Sequence, residues 1–246
     1  MKKLLSALFA VLMIAFTVTG CGTEKVENKV IKLDMYDDKD PVSGVFTGEL
    51  RGGKPDGNGT FRWQNKNGVN ITYTGGFKNG KCDGNFIQQY ANASDIGRLE
   101  GTFKDGKAEG KWKQYDNMGR LSEEFELKNG KENGTHKYYY DSGKIAVEIV
   151  YKDGIRIGES KQYGENGRQI RIVEYKDGNP HRTKIYYDTG ELHYEGDWNG
   201  EGVEYKKDGT VKQKRKFEKG KPEVSADSGT YKLTPYVSGF KKFGRK

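Results

Sequence analysis

The 246-residue sequence is short of the residues that build a thick core or a reactive centre. Cysteine occurs twice, histidine three times and proline five times, and hydrophobic residues make up 33% of the chain, below the roughly 45–50% usual for a globular domain. Two cysteines allow at most one disulfide. His136, His181 and His193 sit on separate segments without the close spacing of a zinc site. Nucleophile elbows, phosphate-binding loops, Cys-x-x-Cys pairs and complete calcium loops are all missing. No catalytic residue, metal ligand or cofactor is therefore assigned, and a thick-cored enzyme fold is not expected.

Aromatic residues and glycine are plentiful. With 16 Tyr, 11 Phe, 3 Trp and 35 Gly, the chain carries packing area that charged disordered sequences lack. The economical solution is a thin, sheet-rich structure whose small core repeats along its length.

The amino terminus reads as an export signal. Lys2 and Lys3 precede the apolar run 4–18, which Ser6 and Thr17 interrupt and which ends in Thr19, Gly20 and Cys21. The run is too short for a confident spanning helix. Val18-Thr19-Gly20-Cys21 resembles the lipobox of bacterial lipoproteins. That resemblance implies cleavage after residue 20, acylation of Cys21, and stable anchoring in the envelope membrane, at the outer membrane or cell surface in a Gram-negative cell. Without Lys2 and Lys3 the side chains carry 41 positive and 35 negative charges, a mild bias that does not call for nucleic acid. Residues 21–40 read as a polar tether, and Cys82 reads as a buried structural thiol.

From 42 to 222 the sequence repeats itself. Lys78-Asn79-Gly80-Lys81, Lys104-Asp105-Gly106-Lys107 and Lys128-Asn129-Gly130-Lys131 are copies of one segment, continued by Asp153-Gly154 and Asp177-Gly178, at a period close to 24 residues. Asn-Gly and Asp-Gly favour tight hairpin turns because both positions accept positive φ. A second glycine, at 119, 143, 167, 190 and 209, follows a tyrosine by four places each time: Tyr115, Tyr139, Tyr163, Tyr186 and Tyr205. This strict placement predicts core packing for those tyrosines. Between turns the side chains alternate, with Glu123, Phe125 and Leu127 on one face and Glu124, Glu126 and Lys128 in water. Around 169–175 the alternation blurs, because Ile170 and Ile172 oppose Val173 and Tyr175 if no bulge intervenes. The expected fold is all-β, an elongated twisted sheet of antiparallel hairpins in seven to eight copies, roughly 65–80 Å long. Residues 223–246 leave the period and read as a basic cap or tail.

Gly75-Gly76-Phe77-Lys78-Asn79-Gly80 through Gly84-Asn85-Phe86, and Gly101-Thr102-Phe103-Lys104-Asp105-Gly106 through Gly110-Lys111-Trp112, resemble MORN repeats. The copies between 120 and 190 resemble the degenerate bacterial MORN-variant type, as found in the YwqK-type antitoxin family. The resemblance implies a scaffold for protein pairing, and the family has also been linked to membrane lipids. Tyr138, Tyr140, Tyr187 and Trp63 are the candidate binding surface, since Tyr and Trp anchor peptides and sugars well. Lys241, Lys242, Arg245 and Lys246 are candidate contacts for an anionic surface. The reading is a lipid-anchored, non-catalytic envelope protein holding a protein, peptide or glycan partner, with the oligomeric state open. The alternatives are an antitoxin-like or immunity protein against a cognate toxin and, further off, a cell-wall glycan hydrolase, which needs two facing carboxylates about 5–10 Å apart.

Overall fold

The computed structural model of the protein describes residues 22–34, 41–65, 67–91 and 97–216. The segment read as an export signal, Cys21, and the basic segment with Lys241, Lys242, Arg245 and Lys246 lie outside the described residues. The strands are β1 (Glu24–Leu33), β2 (Val42–Arg51), β3 (Lys54–Gln64), β4 (Asn70–Lys78), β5 (Lys81–Ala91), β6 (Arg98–Lys104), β7 (Lys107–Tyr115), β8 (Leu121–Lys128) and β9 (Lys131–Glu132). They continue with β10 (Gly134–Tyr139), β11 (Ile145–Lys152), β12 (Ile155–Tyr163), β13 (Gln169–Lys176), β14 (Asn179–Tyr186), β15 (Leu192–Asp197), β16 (Glu201–Tyr205) and β17 (Val211–Lys216).

Each strand pairs antiparallel with the next, and β9 and β10 share one place beside β8, interrupted at Asn133. The result is one open meander with β1 at one edge and β17 at the other. At about 4.8 Å per strand it extends for roughly 70 Å, as the repeat period predicts.

The tight turns take the expected form. Asn79 and Gly80 have φ of 51° and 82°, Asp105 and Gly106 of 50° and 81°, and Asn129 and Gly130 of 51° and 75°, the two positive values of a type I′ hairpin turn. Four of the tight turns also dock on the preceding hairpin. Gly80 N–H donates to the Pro55 carbonyl, Gly106 to Cys82, Gly130 to Ala108 and Gly154 to Glu132, at 2.7–2.8 Å. Beside these bonds the amides of Asn79, Asp105 and Asn129 donate to the carboxylates of Asp56, Asp83 and Glu109. The repeat length is thus tied to hydrogen bonds as well as to packing.

One face carries the core. Phe46, Phe61, Tyr73, Gln88, Leu99, Gln114 and Glu123 stand opposite one another on consecutive strands from β2 to β8. Phe46 and Phe61 are 0% exposed and Leu50 is 1% exposed, which a flat single layer cannot achieve. The sheet therefore coils so that this inner face covers itself, and Phe46 on β2 meets Phe77 on β4 with ring centroids 5.3 Å apart. Glycine makes the coiling possible by letting rings lie against the backbone of a neighbouring strand. A Cβ on Gly59, Gly75 or Gly101 would stand within 2.1–2.4 Å of the rings of Phe46, Phe86 and Trp112.

Three expectations change. The segment read as a tether carries β1, which pairs with β2 over its length and buries Leu33. Its many charges are those of a protected sheet edge, reinforced by the irregularity at Asn28, whose φ is 52°. The five strictly placed tyrosines do not enter the core: each follows an inner-face residue and so lies on the outer face. There Tyr139, Tyr163 and Tyr205 donate their hydroxyls to Glu124, Glu148 and Glu195 at 2.6, 2.8 and 2.9 Å, and Arg98 lies 4.3 Å from the Tyr115 ring centroid. Glu124 and Glu148 are for that reason half-buried rather than fully in water. Against β12 the register shifts at Ile170, while Arg171, Ile172 and Val173 pair without interruption, so Ile172 remains on the outer face, where it is 9% exposed.

Cys82 is 0% exposed, and burial pushes its thiol up to about 12. In the Cys21→Ser form, native protein at pH 8 is expected to resist iodoacetamide and to label stoichiometrically only once unfolded; rapid native labelling would contradict the packing. Gly101→Ala forces its methyl into Trp112 and is expected to cost about 1–3 kcal/mol. Thr74→Ala on the outer face should stay within about 0.5 kcal/mol, both read from urea unfolding.

Candidate functional site

The inner face changes character halfway along the sheet. The continuous apolar cluster runs from Leu33 to Leu127. Beyond it the same cross-strand row continues as Glu123, Tyr138, Val147, Gln162, Arg171, Ile185, Tyr194 and Glu204. Polar and ionisable groups thus occupy register positions that hold Phe46, Phe61 and Tyr73 in the first hairpins. Pairing sets them side by side across the inner face, and His136, Arg156, Tyr175 and Trp198, at other positions along their strands, join them in one strip.

The strip begins at His136 on β10. Its Nε2 lies 2.8 Å from a Glu123 oxygen and its Nδ1 lies 3.0 Å from a Glu132 oxygen. His136 is 5% exposed and Glu123 is 6% exposed. Burial alone lowers the imidazole pKa, but the hydrogen bonds and charges of the two carboxylates outweigh it and hold His136 above its ordinary value. With a carboxylate at each ring nitrogen, the imidazolium donates two charge-assisted bonds. Tyr138 stacks on this ring at a centroid distance of 4.3 Å, and burial together with the Glu123 charge raises its phenol pKa. Both carboxylates have structural partners, so the cluster is a buried ion network and not an acid and base facing a cleft.

Two arginines follow. Arg156 on β12 donates to the hydroxyls of Tyr151 and Tyr175 at 3.2 and 3.3 Å, with its guanidinium 5.9 and 5.6 Å from their ring centroids. Arg171 on β13 lies 5.6 Å from the Trp198 ring centroid and donates to the Thr183 hydroxyl at 3.4 Å. Burial lowers its pKa, the sign of a guanidinium drawn away from bulk water. Arg156, Tyr175, Arg171 and Trp198 are half-buried, so each combines packed rings or stem with accessible surface. Among the described residues no group of three or more metal-ligating side chains forms.

The four aromatic residues singled out from sequence fall in separate environments. Trp63 stacks between Phe61 and Tyr73, at 5.7 and 4.6 Å, in the amino-terminal core. Tyr138 joins the His136 cluster. Tyr140 and Tyr187 lie at the looser turns, where their hydroxyls donate to the Tyr163 and Tyr205 carbonyls at 2.6 and 2.8 Å. They staple one hairpin end to the next. The structure therefore brings only Tyr138 into the strip. Arg156 and Arg171 escaped sequence reading because an arginine in a strand defaults to the wet face. The signal available was the blurred alternation at 169–175, which put Arg171 on the inner face.

The MORN-repeat family model matches residues 46–68, 73–85 and 100–111. A MORN-repeat domain is present, and its matched copies lie within the apolar half of the sheet. No curated protein matches the chain.

The His136 cluster has a defined pH signature. Because the folded pKa lies above the unfolded value of about 6.5, its stabilisation is complete below that value and is lost as pH rises through the folded pKa. Urea midpoints are expected to fall from pH 6 to pH 9. His136→Gln should flatten this dependence and lose about 3 kcal/mol at pH 6, as one partner of a buried ion pair is removed. A wild-type midpoint that is constant with pH would refute the charged network.

Proposed function

We propose that the protein is a binding scaffold of the bacterial envelope, anchored by an acylated Cys21, whose inner-face strip holds a protein or peptide partner. The observation that carries this reading is the run of Tyr138, Arg156, Tyr175, Arg171 and Trp198 on one coiled face. Tyr, Trp and Arg dominate binding energy in protein interfaces because they combine large contact area with directional polar groups. Here packing against neighbours already limits their rotamer freedom, which reduces the entropy lost when a partner docks. The MORN-repeat match supports the same class, since such repeats serve protein, peptide or lipid interactions. A peptide is favoured over a glycan because guanidinium groups alternate with the rings and suit carbonyls and carboxylates. Membrane anchoring would add a high local concentration of the scaffold at the envelope.

The test is crosslinking capture from intact envelopes with wild type, a secreted Cys21→Ser form, and Cys21→Ser carrying Arg171→Ala and Trp198→Ala. A dominant partner kept by Cys21→Ser and lost from the face variant is expected. The double change should cost at least about 2 kcal/mol of binding, with melting curves reporting that the sheet remains folded. A partner set unaffected by the face variant would rule out the strip, and loss of every partner from Cys21→Ser would show that membrane placement alone made the associations.

A further inference from the structure

The tight turns line one rim of the sheet, and in the first hairpins each is bracketed by two basic residues. Lys78 stands directly opposite Lys81, Lys104 opposite Lys107 and Lys128 opposite Lys131, and the turn at 51–54 repeats the pattern with Arg51 and Lys54. Like charges directly opposite one another destabilise a strand pair, yet the arrangement recurs at every turn of this stretch. All six lysines are exposed, and among the described residues none is in an ion pair. Asp56, Asp83 and Glu109 lie beneath the turns, but each carboxylate accepts a turn amide, and only Asp56 also meets a rim cation, Arg51 at 3.7 Å.

The opposite rim behaves differently. Arg120 pairs with Asp116 and Asp141 at 2.7 and 2.9 Å, while Lys144 and Arg168 donate to the Glu165 and Asp188 carbonyls. Those cations are spent on joining turns. The basic rim also ends abruptly: the later turns read Lys152-Asp153-Gly154-Ile155 and Lys176-Asp177-Gly178-Asn179, with one cation and one anion each. The stems of Lys54 and Lys81 lie across the next turns, close to Gly80 and Gly106.

We propose that this rim binds a flexible linear polyanion, laid along the turns from 51 to 131 independently of the inner-face strip. Ammonium groups act as strongly hydrated point charges suited to phosphate and comparable anions. Hairpins set the cation pairs at a repeat of about 10 Å, and a sheet with ordinary twist turns by roughly 40–50° per hairpin. A planar membrane meets only part of such a winding row, whereas a flexible chain can follow it.

The probe is long-chain inorganic polyphosphate, titrated into the full mature Cys21→Ser protein over a range of salt. Saturable binding is expected, weakened roughly ten-fold or more by combined Lys81→Gln, Lys107→Gln and Lys131→Gln, with the log K against log salt slope reduced by about 2. A control with Lys152→Gln, Lys161→Gln and Lys176→Gln removes the same charge and should bind within about two-fold of wild type. The rim variant should melt no lower than wild type, since it relieves like-charge pairs, so lost binding is separable from lost folding. Equal weakening in both variants would reduce the effect to net charge and overturn the proposal. Rim-dependent binding to vesicles of anionic phospholipid without binding to polyphosphate would also overturn it, in favour of a membrane. The Arg171→Ala, Trp198→Ala protein should bind polyphosphate as wild type does.

Discussion

Aromatic rings laid against glycine are the contact on which the rest of this structure depends. A single sheet has no second layer to cover its apolar face, so it must curl until its own side chains close over one another. Rings on one strand can reach the backbone of the next only where a Cβ is missing, as at Gly59, Gly75 and Gly101. Phe46, Phe86 and Trp112 then pack edge to face with Phe77 and Phe103 along the coil. Such pairs contribute about 0.5–1.5 kcal/mol beyond simple burial, repeated from strand to strand. A chain with a low apolar fraction can therefore hold a dry core.

Where the glycines thin out, the core changes chemistry. After Leu127 the inner face is held by the His136 ion network, by Arg156 between two tyrosines, and by Arg171 near Trp198. Buried charges demand partners, and each of these groups has them in neighbouring strands. The same groups keep polar surface that an all-phenylalanine face would not offer. The continuous apolar core is thus concentrated in the amino-terminal half, and chemically distinctive surface in the carboxy-terminal half. Near β17 a second polar group recurs, with Glu204 accepting from Lys212 and Gln213.

The two rims divide a different task. The tight turns dock backbone to backbone on the previous hairpin and need nothing from their flanking side chains, which leaves Lys78, Lys81, Lys104 and Lys107 in solvent. The looser turns lack that docking and use side chains instead: Tyr140, Lys144, Arg168 and Tyr187 each reach the next turn's carbonyls. Charge asymmetry between the rims follows from how each kind of turn is tied to its neighbour.

Hairpin spacing, turn type and the alternation of most strand residues between two faces were legible from residues alone. They arise from local rules: Asn-Gly and Asp-Gly fix turn geometry, and period-two alternation separates the faces. Those rules also placed Ile172 opposite Val173. They failed where a residue's role depends on what lies across the sheet. The charged segment 24–33 is an edge strand because Ile31 and Leu33 meet β2, and the regular tyrosines lie on the outer face, where Glu124, Glu148 and Glu195 accept the hydroxyls of Tyr139, Tyr163 and Tyr205. Glu123, Glu132 and His136 form one network only because cross-strand pairing and the coil bring β8, β9 and β10 together. The sequence by itself determined the repeating hairpin; the tertiary structure decided which polar groups are buried, because burial depends on how far the sheet curls over its own face.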